Sequence, residues 1–292
     1  MAERAAPPSI EHELPNLEHD AARVAAAALA EDGERDVTTE VTGLGQAACT
    51  AVVEARAACT LAGLLYAGAV ARAAGATVVW DCRDGDPVLE GTAFGQMRGS
   101  LAAVLRAERA MLNLLQRASG IATRTRRFVN AVQGTGCRIL HTRKTAPGLR
   151  AFDIRAVLAG GGTMNRGGLS RTVMFKDNHW QALARTGAGV ADAVRAARER
   201  GLFCIVEVES RDQVERAAAA RADRLLIDNQ PPQTAGEWAA AARRSAPSIE
   251  VEASGGITLE NVRAYAVAGL DFVSVGALTH SVRAADIAIE LE

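Results

Sequence analysis

The chain has 292 residues, a formal net charge of −1 and 49% hydrophobic residues. Such a composition excludes a disordered chain, and the length suits one large domain or two modest ones with a full core. The near-zero charge argues against a nucleic-acid partner, and no apolar run reaches the roughly 18–20 residues of a membrane span.

Residues 17–31 (LEHDAARVAAAALAE) have a helical period, while 46–57 and 77–81 carry strand-like runs. The segment DGDPV at 84–88 reads as a turn. A long helical stretch covers 99–133, with Gly120 as the point where it would divide. From about residue 135 the pattern becomes regular. Short apolar runs at 137–142, 172–176, 203–209, 224–229, 249–254 and 272–278 alternate with helical stretches such as 189–200, 211–222 and 260–269. Near-continuous apolar strands alternating with helices predict a parallel sheet. Six units predict a closed or nearly closed α/β barrel, with an open doubly wound sheet as the alternative.

The N-terminal twenty residues lack the apolar core of a signal peptide. Five cysteines, an odd number with no CxxC pair, speak against a disulfide framework or a zinc site. A reducing, cytoplasmic setting is therefore expected. Cys137 and Cys204 lie in apolar runs and are expected to be buried.

Lys and Arg total 33, yet only Lys144 and Lys176 are lysines. A chain so biased toward arginine keeps lysine where a compact point charge is needed and a planar fork does not serve. Both fall at the rim of predicted strands. Lys144 lies just past the first strand, and Lys176, Glu207, Asp228, Glu252 and Gly276 lie at the ends of those that follow. In α/β barrels this rim holds the active site. Two cations and three carboxylates there are costly unless paired or used.

The chemistry of the ring follows from the residue types. Arg143 beside Lys144, Arg166, and Arg106 and Arg109 upstream supply forks suited to carboxylates. The glycine-containing turns GGG (160–162), SGG (254–256) and VGA (275–277) can cradle phosphate through backbone N–H groups. Glu207, Asp228 and Glu252 could hold Mg²⁺, bind ribose hydroxyls or stabilise positive charge at a sugar carbon. Together these suggest a phosphorylated sugar meeting an anionic partner.

On these residues the chain resembles the quinolinate phosphoribosyltransferase family. The resemblance rests on TRKTAPGLR (142–150), AVLAGGG (156–162), FKDNH (175–179), VEVES (206–210), LIDN (226–229), the long segment 252–287, AERAMLNLLQRASGIATRT (107–125) and ALAEDGERDVTTE (28–40). It implies an N-terminal α/β sandwich (1–118), an open α/β barrel of six to seven parallel strands (119–275) and a tail (276–292) packing back on the first domain. It also implies a homodimer or larger assembly with the active site shared between subunits. Quinolinate and phosphoribosyl pyrophosphate would react with Mg²⁺ to give nicotinate mononucleotide, pyrophosphate and CO₂. Arg109 would reach a substrate carboxylate across the dimer, while Thr142, Arg143, Asn165, Arg166 and Lys176 would hold the acid. Lys144 would stand near the reacting centre. Glu207 and Asp228 would serve the ribose and Mg²⁺, directly or through water, with Glu252 also facing substrate. Ser254, Gly255, Gly256, Val275, Gly276 and Ala277 would line the 5′-phosphate site.

The chain departs from the family pattern in three places. The usual Asn-His-Arg after the glycine triplet is Met164-Asn165-Arg166, the usual Asp before TRK is His141, and the usual Asp of GLxD is Arg171. These changes leave open a relative that uses another heteroaromatic carboxylic acid. A Schiff-base lyase using Lys144 or Lys176 as the amine is a more distant alternative. A non-catalytic relative of the same fold is disfavoured by the retained FKDNH and Arg166.

Overall fold

The computed structural model describes residues 5–186 and 189–292. The elements in chain order begin with α1 (Ile10–Glu13), α2 (Leu17–Glu31), α3 (Val37–Thr42), β1 (Ala48–Ala55), β2 (Cys59–Thr60), α4 (Leu64–Ala74), β3 (Thr77–Trp80), β4 (Pro87–Val88), β5 (Ala93–Ser100) and α5 (Leu101–Ala131). Then come β6 (Arg138–Leu140), α6 (Arg150–Ala159), β7 (Thr172–Phe175), α7 (Asp177–Thr186), α8 (Val190–Glu199), β8 (Phe203–Val208), α9 (Arg211–Ala219) and β9 (Arg224–Asp228). The last are α10 (Pro232–Ser245), β10 (Glu250–Ser254), α11 (Val262–Val267), β11 (Phe272–Ser274), α12 (Ala277–His280) and β12 (Ile287–Leu291). No helix among the described residues is long and apolar enough to cross a membrane.

The chain forms two compact units, neither a continuous stretch. One holds the segment up to Glu13, Arg127–Lys144 and Gly162–Gly276; the other holds Leu14–Arg126, Thr145–Gly161 and Ala277–Glu292.

The second unit is built on an antiparallel sheet of order β12-β1-β5-β3, with α2 packed on α4. Capping side chains start its early helices. Asn16 accepts the His19 N–H at 3.1 Å, and Asp36 accepts those of Thr38 and Thr39. Strand β5 (AFGQMRGS) gave no strand signal, because it has two glycines and no β-branched residue. The glycine has a packing reason: a Cβ on Gly95 would sit 2.4 Å from the Trp80 ring.

Helix α5 is also unbroken, contrary to the division expected at Gly120. That glycine instead lets the chain at Arg283 approach closely, since a Cβ would lie 2.3 Å from the Arg283 carbonyl oxygen. A bidentate pair ties α5 to α6: Arg117 Nε and Nη2 donate to the buried Asp153 carboxylate at 2.9 and 2.8 Å. Asp153 also accepts the Ala146 N–H at 3.0 Å.

The first unit contains a six-stranded parallel sheet of order β6-β11-β10-β9-β8-β7. That is the cyclic order of a barrel with one seam left open, between β6 and β7. Arg224 on β9 lies 4.2 Å over the Phe272 ring on β11, two strands away. Its guanidinium crosses β10, where it also meets Glu250 and Glu252. Alternation puts Phe203, Ile205 and Glu207 of β8 on the same face as Arg224, Leu226 and Asp228 of β9. Beside the seam, the Thr163 N–H donates to the Ile139 carbonyl at 2.7 Å and extends the β6 edge. Cys137 and Cys204 are buried as expected, and burial pushes both thiols up to about 12.

Candidate active site

The C-terminal ends of β7, β8 and β9 carry Lys176, Glu207 and Asp228. Lys176 Nζ pairs with the Glu207 carboxylate, the lysine partly exposed and the glutamate nearly covered. Both partners are fixed from behind. The Lys176 N–H donates to His179 Nδ1 at 3.1 Å, and Trp180 Nε1–H donates to the Glu207 carbonyl at 2.8 Å. The segment FKDNHW thus turns from β7 into α7 and locks the ion pair's backbone. His179 and Trp180 carried no sequence signal for this work beyond their place in that segment.

Arg166 is buried, at 9% exposure. Desolvation, then the neighbouring Arg143, push its guanidinium pKa down, and Glu207, Glu252 and Glu13 push it back up. The buried Arg166 is therefore within electrostatic reach of a second, partly buried guanidinium. Arg143 adds a second sign of an unmet demand, because its Nε is buried without a hydrogen-bond partner. Lys144, one residue on, is exposed, and its N–H donates to Thr142 Oγ1 at 3.2 Å.

Two predicted contacts are placed differently. Glu252 does not stand at the rim; it lies mid-strand in β10 at 0% exposure. It pairs with Arg224 Nη1 at 3.3 Å and accepts the Ser274 hydroxyl. Strand β10 runs on to Ser254, so the polar residue at its end is the serine. Asn165 is also buried, and its amide is committed internally. Its Nδ2 donates to the His141 carbonyl and Ser274 Oγ, both at 3.4 Å. Its Oδ1 accepts the Arg166 N–H at 2.9 Å and Arg224 Nη1 at 3.5 Å. His141 Nε2 accepts the Asn165 N–H at 2.9 Å, which fixes the neutral tautomer with the proton on Nδ1. His141 and Asn165 therefore belong to one buried network beneath the arginines, with Arg224, Glu252 and Ser274. Arg224 was invisible as a site residue because its strand reads as an ordinary apolar run. Arg171, the third departure, is exposed on the surface.

The turn after β10 has its own geometry. Gly255 and Gly256 adopt φ of +90° and +61°. A Cβ on Gly255 would lie 2.0 Å from Asn229 Oδ1, whereas Gly256 faces open space. Asn229 is itself left-handed (φ +51°), donates its N–H to the Ser254 carbonyl at 2.9 Å and its Nδ2 to Asp228 Oδ2 at 2.7 Å. It was not among the expected site residues. Val275 is buried and its N–H is taken by the Leu140 carbonyl at 3.2 Å, which removes it as an anion donor. Gly276 closes the first unit, while Ala277 and the exposed Arg109 belong to the second.

Among the described residues no group of three or more His, Cys, Asp or Glu side chains is placed to hold a metal. An all-protein cage is therefore absent from them. Glu207 and Asp228, on one face of neighbouring strands, fit the one-or-two-carboxylate mode in which Mg²⁺ shares its shell with phosphate oxygens and water.

The model for the quinolinate phosphoribosyl transferase C-terminal domain matches residues 121–290, and that for the N-terminal domain matches residues 36–119. The chain belongs to the quinolinate phosphoribosyl transferase family. Within that family it is 40% identical over 292 residues to the nicotinate-nucleotide pyrophosphorylase [carboxylating] of Mycobacterium leprae, covering 95% of this chain and 100% of the relative. It is 41% identical over 212 residues to the probable enzyme of the same name from Bacillus subtilis, covering 72% and 71% of the two chains. The solved nicotinate-nucleotide pyrophosphorylase of Francisella tularensis superposes with a TM-score of 0.88 at 30% identity, over 95% of this chain and 98% of that one. The parallel six-stranded sheet and the antiparallel N-terminal sheet are those of the family's solved members.

Proposed function

We propose that this family member transfers a phosphoribosyl group from phosphoribosyl pyrophosphate to quinolinate, releasing pyrophosphate, CO₂ and nicotinate mononucleotide. The observation that carries the reading is the approach of Arg143 and Arg166 in a desolvated place with an orphan Nε. Like charges so placed call for an anion with more than one carboxylate oxygen to share. The 40%-identical relative named for this reaction supports the same reading.

The chain's groups act mainly by positioning and by charge. Arg143 and Arg166 hold the dicarboxylate with its ring nitrogen toward the sugar carbon. The nitrogen–carbon bond forms as the carbon–oxygen bond to pyrophosphate breaks. Glu207, partly neutralised by Lys176, and Asp228 stand where positive charge develops on the sugar. Lys144 lies next to the arginines, in reach of the carboxylate that leaves as CO₂; the electron pair left on the ring carbon is stabilised by the adjacent quaternary nitrogen and then takes a proton. Gly255 and Gly256 offer their turn to the 5′-phosphate, with Ser254 and Gly276 beside it. Mg²⁺, held by Asp228 and Glu207, would neutralise the departing pyrophosphate.

Arg109 is exposed on its helix, and on this reading it reaches the acid held by a second copy of the chain. We therefore read the working form as a homodimer or larger assembly, acting in the cytoplasm, where its five free cysteines would remain reduced.

Incubation with quinolinate, phosphoribosyl pyrophosphate and Mg²⁺ should yield mononucleotide and CO₂ in equal amounts. Turnover with a different heteroaromatic acid, but none with quinolinate, would overturn the assignment of the acid. That second reading has one observation in its favour: position 165 offers a buried, fully engaged amide and no imidazole. The lyase alternative is weaker, since Lys176 is ion-paired and Lys144 is exposed, and neither sits in an apolar pocket.

A further inference from the structure

The open seam between β6 and β7 is bridged by a residue far from either strand in sequence. Glu13, the last residue of α1, accepts the Gly167 N–H through Oε2 at 3.0 Å. Its other oxygen, Oε1, accepts the hydroxyl of Thr172, the first residue of β7, at 3.3 Å. The segment 163–167 is already joined to β6 through Thr163. One carboxylate thus fastens the β6 side of the seam to the β7 side.

Further contacts place the N-terminal segment firmly. Ala5, like Met174, packs against the buried cluster of Phe203, Ile205 and Leu226. A Cβ on Gly167 would lie 3.0 Å from the Glu13 carbonyl oxygen, so backbone meets backbone there. Between the two fastened points sits Arg166, whose own N–H is held by Asn165 Oδ1. The Glu13 carboxylate is also near enough to favour the charged guanidinium.

We propose that Glu13 is a positioning residue: it staples the segment carrying Arg166 across the barrel seam and so sets where that guanidinium meets the carboxylate of the acid. The inference rests on the reading that Arg166 binds the acid. Burial and helix propensity alone would not require the two carboxylate oxygens to reach both Gly167 and the start of β7. The exposed Glu11, on the same short helix, makes no such bridge among the described residues and serves as the control.

The test uses the full chain with Glu13→Ala, Glu13→Gln and Glu11→Ala. Two readouts are needed. The first is steady-state kinetics with each substrate varied in turn. Glu13→Ala should raise KM for the acid by about tenfold, the equivalent of one charge-assisted hydrogen bond, with KM for phosphoribosyl pyrophosphate unchanged. Glu13→Gln keeps an acceptor for the Gly167 N–H and should recover part of the loss, and Glu11→Ala should match the parent chain. Equal change in both KM values, or a mere loss of folded protein, would assign Glu13 to stability alone and overturn the proposal. The second readout is hydrogen exchange over residues 163–168, which needs no substrate. Faster exchange at Gly167 in Glu13→Ala is expected, and unchanged exchange would overturn the staple. Should the parent chain fail to use quinolinate, the kinetic arm is repeated with the acid it does use. Failure of the functional assignment is then distinct from failure of the staple.

Discussion

Position 144 shows how much one side chain can decide. Lysine and arginine carry the same charge, but arginine spreads it over a rigid planar fork. Lys144 follows Arg143, whose Nε is already buried without a partner, so a second fork there would compete for the same anion. Lys144→Arg should therefore lower kcat by about a hundredfold or more while leaving the thermal midpoint unchanged, because the residue is exposed. A near-parental rate would remove the argument from lysine scarcity. The same scale explains what was legible and what was not. Lys176, Glu207 and Asp228 stood out because they end apolar strands, and Lys144 because it follows one and is one of only two lysines. Arg224 did not, because one arginine at a strand start looks like an ordinary flank. Its burial at 2% becomes intelligible only once Glu250, Glu252, Phe203 and Phe272 surround it. Removing either partner of such a buried pair typically costs about 3–5 kcal/mol.

At the level of elements, hydrophobic periodicity located α2 at its observed bounds and all six parallel strands within a few residues. It failed where glycine was chosen for packing. Gly95 made β5 unreadable as a strand, and Gly120 seemed to break α5. Both are consequences of a close approach that local pattern cannot contain. Gly120→Val should destabilise the chain by about 1–3 kcal/mol through overpacking against Arg283 and Ala284. A lowered urea midpoint with an unchanged slope would be the signature. Helical content should be nearly unchanged, since the helix itself tolerates valine. A variant as stable as the parent would mean that the Arg283 segment is free to move away.

For the whole molecule, two measurements follow. The thiols of Cys137 and Cys204 are held up to about 12 by burial, whereas an unfolded thiol titrates near ~8.5. Above that pH the unfolded chain loses protons first, so folding stability should fall steadily from about pH 8.5 toward 12. Cys204→Ala should flatten the slope of urea midpoint against pH over that window, and an unchanged slope would place the alkaline loss elsewhere. The second measurement tests the shared site. Arg109→Ala and Lys176→Ala chains should each be nearly inactive. Unfolded and refolded together, they should recover about one quarter of parental activity in a two-fold dimer, because half the dimers then carry one intact site. No recovery on mixing would mean that each chain supplies its own Arg109.

The sequence by itself determined the alternation of strands and helices, the cluster of cations and carboxylates at strand ends, and the family. Those are properties of spacing and residue type along the chain, and spacing is what a sequence preserves. Only the tertiary structure decided which of those charges are buried against one another and which stay open at the strand ends. Glu252 and Asn165 turned out to serve a buried network, and Glu13, one residue among 34 acids, turned out to close the seam of the barrel. The physical reason is desolvation: a charged or polar group reveals its role through what it meets when water is removed, and those partners lie tens to more than a hundred residues away in the chain.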